Sequence, residues 1–157
     1  QAYVPGLLMA ARAMKGSLEL LKSHLKGEKT DTIGKIVIGT VFGDLHDIGK
    51  NLVASMFEGC GFEVVNMGVN ISADKFVETV KIEKPDILCL SALLTTTMSY
   101  MKVVMDALEK EGLRDQVKVM VGGAPVNELF ANQIGADGYS GNANAAVIKA
   151  KELLCIA

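Results

Sequence analysis

Short apolar runs rich in β-branched residues alternate with stretches of helical periodicity, and this alternation constrains the fold more than any other feature of the chain. Residues 35–41 (KIVIGTV), 63–67, 86–90 (DILCL), 118–121 and 137–139 predict five strands. Their near-continuous apolar character is that of strands covered on both faces. Helices are predicted at about residues 50–60, from Ser72 to about residue 83, over 96–111 and 126–133, and finally over 143–154. Ser72 is a natural N-cap with Asp74 in the first turn, and Pro85 ends that helix. The βαβαβαβαβα order predicts an α/β fold with a parallel sheet. Right-handed crossovers make a flavodoxin- or Rossmann-like doubly wound five-stranded sheet the simplest solution, with ligands outside the carboxyl ends of its strands.

Ahead of the first strand the pattern differs. Val4, Leu7, Leu8, Ala11, Met14, Leu18, Leu21 and Leu25 recur at helical steps, interrupted near Gly16, and predict two short helices or one kinked helix. The polar stretch 26–33 (KGEKTDTI) reads as a linker. The expected division is therefore a helical segment 1–27, a linker 28–34 and an α/β domain 35–157. Gln1 is not an initiator, so a processed or truncated chain is expected. A net charge of −2 and the absence of Trp argue against a nucleic-acid partner. No apolar run approaches the roughly 18 residues of a membrane span. Cys60, Cys89 and Cys155 form no CxxC pair and read as buried thiols in a reducing cytoplasm.

The loop after the first strand carries the chemistry: Gly43-Asp44-Leu45-His46-Asp47-Ile48-Gly49-Lys50-Asn51. A phosphate-binding P-loop fails on spacing, and Asn51 stands where Ser or Thr would hold magnesium. An ordinary polar loop, with Asp44 capping the next helix, leaves the Asp-x-His-x-x-Gly arrangement at a ligand-binding edge unexplained. Metal ligation accounts for more. A neutral His46 imidazole is a good transition-metal ligand, Asp44 could fix its tautomer, and Gly49 would let a bulky ligand approach the backbone. One His under-supplies a bare zinc ion. A macrocycle that brings its own equatorial ligands, haem or corrinoid, needs only one.

Here a resemblance becomes specific. Asp44-Leu45-His46-Asp47-Ile48-Gly49 resembles the Asp-x-His-x-x-Gly signature of cobalamin-binding domains, in the version found in methionine synthase and in corrinoid proteins of methyltransferase systems. Adenosylcobalamin mutases typically carry Arg where Ile48 stands. Ser91-Ala92-Leu93 is similar to the family's Ser-x-Leu element after strand three, and Gly122-Gly123 to its Gly-Gly element after strand four. The resemblance implies a cobamide bound with its nucleotide base off cobalt and dropped into a slot beside the sheet, and His46 on the metal's lower face. It places Ser91 against the buried base, Leu93 along the slot, and Gly122 and Gly123 where the backbone meets the tail. Thr97 occupies the place of a Ser that completes an Asp–His–Ser relay in methionine synthase. Thr95 is a further candidate cofactor contact, with helix capping by Thr95 and Thr96 as the plainer reading, and Gly141, Asn142 and Ala143 would border the tail.

The resemblance further implies a methyl carrier cycling between Co(I) and methyl-Co(III), with His46 and Asp44 as its working residues. Residues 3–21 are similar to the end of the helical bundle that caps the corrin in such proteins, with Met9 and Met14 as candidate contacts. Neither a methyl-donor site nor room for a TIM barrel is present. The chain is thus expected to be a corrinoid subunit rather than a complete enzyme. Its implied partners are a donor-specific methyltransferase, a second methyltransferase to a folate or thiol, and a reductive activase. The rival reading is a B12-dependent light sensor or transcriptional regulator. A phospho-receiver is disfavoured because Leu90-Ser91-Ala92 offers no Asp to phosphorylate.

Overall fold

The computed structural model describes Thr32–Cys155; the expected N-terminal helices, most of the linker, Met9 and Met14 lie outside the described residues. The chain divides into two compact units, Gln1–Thr32 and Ile33–Ala157, of which the second is described below. Its strands are β1 (Gly34–Val41), β2 (Phe62–Ile71), β3 (Ile87–Ser91), β4 (Lys118–Gly122) and β5 (Gly138–Ser140). All pair in parallel, in the order β2-β1-β3-β4-β5. The connecting helices are α1 (Ile48–Gly59), α2 (Ala73–Glu83), α3 (Thr95–Met98), α4 (Tyr100–Lys110), α5 (Glu128–Ile134) and α6 (Ala143–Leu153). From β1 the chain passes to β2 on one side and then crosses back to β3 on the other, so a switch point lies at the β1–β3 boundary.

Period-two alternation along β1 feeds two cores. Val37 and Val41 join Phe76, Leu88, Val104 and Leu108 on the α2/α4 face. Ile36 and Ile38 join Phe57, Cys89, Met120 and Ala146 on the α1/α6 face. Phe57 and Phe76 are both fully buried, each worth about 1.5–3 kcal/mol. The Ser72 cap forms as expected, its hydroxyl accepting the Lys75 N–H at 3.2 Å.

Three expectations need correction. The helix expected over 96–111 is split at Ser99 into α3 and α4, because the β-branched run Thr95-Thr96-Thr97 is a poor helix former and Thr97 turns inward to a buried partner. Strand β2 runs past Met67 to Ile71, passing Gly68 at φ +93° opposite a register shift at Gly39. What reads as a glycine break in the sequence is a bulge in the sheet. Finally, only Cys89 is a buried thiol; Cys60 sits exposed just beyond α1, and Cys155 is exposed too.

Candidate functional site

The β1–α1 loop turns through Gly43 at φ +87° and re-enters helix at Ile48. Asp44 lies fully buried beneath this turn, with both carboxylate oxygens engaged. Oδ1 accepts the His46 backbone N–H at 3.0 Å and lies 2.8 Å from His46 Nδ1. Oδ2 accepts the Thr97 hydroxyl at 2.6 Å and the Leu93 N–H at 2.7 Å. Burial alone would push the Asp44 carboxyl up. The Thr97 hydroxyl, the Leu93 and His46 N–H groups and the His46 ring together outweigh burial and hold it well below the usual carboxylate range. A carboxylate can only accept, so His46 Nδ1 carries the hydrogen and Nε2 keeps its lone pair.

Two residues that the sequence did not single out tie this loop down. Thr40, fully buried at the end of β1, donates its hydroxyl to the His46 carbonyl at 2.9 Å. Asn70, at φ +56°, accepts the Gly43 N–H at 2.7 Å and donates its own N–H to the Asp44 carbonyl at 3.0 Å. A hydroxyl within an apolar strand was the only signal for Thr40. Asn70 carried none, because its role depends on the extension of β2. Asp44 does not cap α1; Asp47 stands at the N-cap and makes no side-chain cap bond.

Beside His46 a cavity of about 670 Å³ opens at the carboxyl edge of the sheet, within the ~300–1,000 Å³ common for small-molecule sites. Leu45, His46, Asp47, Ile48 and Gly49 form one wall, and Gly141, Asn142 and Ala143 another. Ser91, Leu93, Gly122 and Gly123 line it from the ends of β3 and β4. Asn142 also caps α6, its Oδ1 accepting the Ala145 N–H at 2.8 Å. Asp44 and Thr97 stand beneath His46. Thr95 is the exception: it is exposed at the start of α3 and does not line the cavity. The sequence reading also missed Ile38, Cys89 and Met120 inside the cavity, since nothing distinguishes them from other core residues. Burial pushes the Cys89 thiol up to about 12, so it stays a neutral thiol.

The glycines divide by role. A Cβ on Gly49 would meet no protein atom within 4 Å, so its bareness serves the cavity rather than packing. Gly123 sits at φ +129°, and a Cβ there would stand 1.8 Å from the Ala92 carbonyl oxygen. Gly123 is therefore fixed by the crossing of two backbones, whatever else it adjoins. Around the mouth, Leu45 and Ile48 are 70% and 78% exposed, with Leu52 and Leu93 half-exposed beside them. Apolar surface gathered around a half-exposed imidazole suits a large, flat, mostly apolar ligand.

Among the described residues no three His, Cys, Asp or Glu side chains cluster, so a bare ion would find little beyond His46. A macrocycle with four donors of its own fits better: one imidazole with its tautomer fixed, an apolar rim, and a cavity beside them that Gly49 leaves unobstructed. This fold and site are those of a protein built to hold a metal-bearing macrocycle at the edge of a parallel sheet. The profile of the B12 binding domain matches residues 34–148, and the chain belongs to that family. Its cofactor is cobalamin or a related corrinoid.

Relatives extend the match. The chain is 46% identical over 153 residues to dimethylamine corrinoid protein 2 of Methanosarcina acetivorans, covering 97% of this chain and 71% of that one. It is 46% identical over 154 residues to trimethylamine corrinoid protein 2 of Methanosarcina mazei, covering 97% and 71%. Among solved structures, the Methanosarcina barkeri monomethylamine corrinoid protein superposes with a TM-score of 0.73 at 39% identity, covering 95% of this chain and 71% of that one. The methanol:cobalamin methyltransferase complex of the same organism gives 0.82 at 34% identity, covering 96% and 57%. The signal receiver domain of the response regulator NarL from Mycobacterium tuberculosis shares the fold alone, at 17% identity and a TM-score of 0.58. Among the described residues no helix is long and apolar enough to cross a membrane.

Proposed function

We propose that this chain is the methyl-carrying corrinoid subunit of a methylamine-type methyltransferase system, binding its cobamide base-off with His46 as the lower ligand to cobalt. The observation that carries the ligand assignment is the 2.8 Å contact between His46 Nδ1 and a buried, ionised Asp44, which presents Nε2 beside the cavity. When bound, the corrinoid supplies a cobalt centre that accepts and surrenders a methyl group. The protein's own groups set ligation and access. Asp44 fixes the orientation of the imidazole, and Thr97 and Leu93 hold that carboxylate in one position. Ser91, Gly122 and Gly141, in the cavity between α1 and the β5–α6 turn, would border the cofactor's nucleotide tail.

The dimethylamine and trimethylamine names of relatives near 46% identity support a methylamine donor over methanol. On this reading a donor-specific methyltransferase loads the subunit and a second unloads it to a thiol or folate, with a reductive activase restoring the reduced cobalt. The test has two arms. Reconstituted His46→Gly should show the absorption spectrum of a corrinoid lacking its lower nitrogen ligand; a spectrum equal to wild type overturns the ligand assignment. Offered separate dimethylamine- and methanol-specific methyltransferases, the loaded protein should be methylated by the first. Methylation by the methanol enzyme alone overturns the donor class.

A further inference from the structure

The strand register orders the cavity wall into two rungs. Ile38 pairs with Cys89, and Cys89 with Met120, so these three side chains stand abreast on the α1/α6 face of β1, β3 and β4. All three are at least 94% buried, and all three line the cavity. Two residues further along each strand, about 6.6 Å nearer the mouth, the same face carries Thr40, Ser91 and Gly122 abreast, with Ser140 paired beyond Gly122. Polarity therefore changes sharply along the slot. Ser91 and Ser140 bring hydroxyls to the cavity at the outer rung, whereas the inner rung offers hydrocarbon, one thiol and one thioether.

From this gradient we infer that the inner rung, Ile38, Cys89 and Met120, selects the cobamide by its lower base, favouring an apolar benzimidazole over a purine. The inference rests on the base-off reading above. Sulfur is polarisable and packs well against an aromatic ring, but it is a weak hydrogen-bond acceptor. The exocyclic amine and ring nitrogens of adenine would leave water for a wall that cannot replace their hydrogen bonds. A buried polar group left unpaired in this way lowers affinity by roughly tenfold or more. The methyl groups of 5,6-dimethylbenzimidazole lose nothing there and bury further apolar area.

The test is spectral titration of the cofactor-free full chain with three corrinoids: cobalamin, the adenine-bearing analogue, and cobinamide, which lacks the nucleotide. Cobalamin should bind at least tenfold more tightly than the adenine analogue, with cobinamide weaker than cobalamin. Met120→Gln, or Cys89→Ser should the first variant fail to fold, should narrow the preference by giving the amine a partner. Equal or tighter binding of the adenine analogue by wild type overturns the inference, as does cobinamide matching cobalamin. The absorption spectrum of bound cobalamin separates the two levels. A base-on spectrum removes the base-off reading itself, while a base-off spectrum with no base preference removes only the selectivity.

Discussion

Replacing Thr97 with Val removes one hydroxyl and keeps the shape. In the structure that hydroxyl donates to Asp44 Oδ2 at 2.6 Å, inside the protein, to a group held as an anion. A hydrogen bond to a buried charge contributes about 1.5–3 kcal/mol. Asp44 Oδ2 would keep the Leu93 N–H at 2.7 Å, so the carboxylate is weakened in its support and not orphaned, and the lower half of that range is expected. At roughly 3–4 °C per kcal/mol for a chain of this size, Tm should fall by about 5–8 °C. Urea unfolding at pH 7 should show a lower midpoint with an unchanged slope. The pH dependence has a definite sign. A carboxylate whose folded pKa is lowered contributes stability that is fully present above its unfolded value, about 3.9, and lost as pH falls through the folded one. The gap between wild type and Thr97→Val should therefore be constant from pH 7 to about 5 and close only in stronger acid. Thr97→Ser keeps the donor and should stay near wild type. Should Val stay near wild type while Ser proves damaging, the methyl group that lies near Gly43, and not the hydroxyl, would be what matters.

Gly123→Ala should cost about 3 kcal/mol or more in urea unfolding, because its Cβ would overlap the Ala92 carbonyl at a φ of +129°. Gly49→Ala should do the reverse in the cofactor-free protein, stabilising helix α1 by about 0.5–1 kcal/mol, while corrinoid affinity measured by titration falls. With a thiol reagent at pH 8, Cys60 and Cys155 should react promptly and Cys89 only on unfolding, since burial pushes its thiol up to about 12.

The sheet was legible because each strand is a short apolar run closed by a turn, and parallel strands covered on both faces leave that signature. The site motif was legible for a different reason: Asp44, His46 and Gly49 fall within six consecutive residues of the β1–α1 loop and the first turn of α1, so their spacing survives in the linear sequence. What the sequence hid is what depends on tertiary register. Thr97 reaches Asp44 across the β1–β3 boundary, and its hydroxyl could be placed there only by resemblance. Asn70 braces the loop from the part of β2 that lies beyond the strand end expected at Met67. Ile38, Cys89 and Met120 face the cavity only because three registers align, and each alone reads as ordinary core. Thr95 was drawn in by its neighbours in the chain, yet the first turn of α3 leaves it in solvent.

The ligand to cobalt can be read from nuclear spin. The chain has two histidines, His24 and His46, so a His24→Ala protein labelled with 15N only in histidine isolates the ring in question. Reconstituted with corrinoid and reduced to Co(II), it should show axial nitrogen hyperfine splitting as a doublet, where unlabelled protein shows a triplet. A triplet that persists after labelling would mean that the lower nitrogen belongs to the cofactor's own base, and the account given for His46 and Asp44 would be wrong.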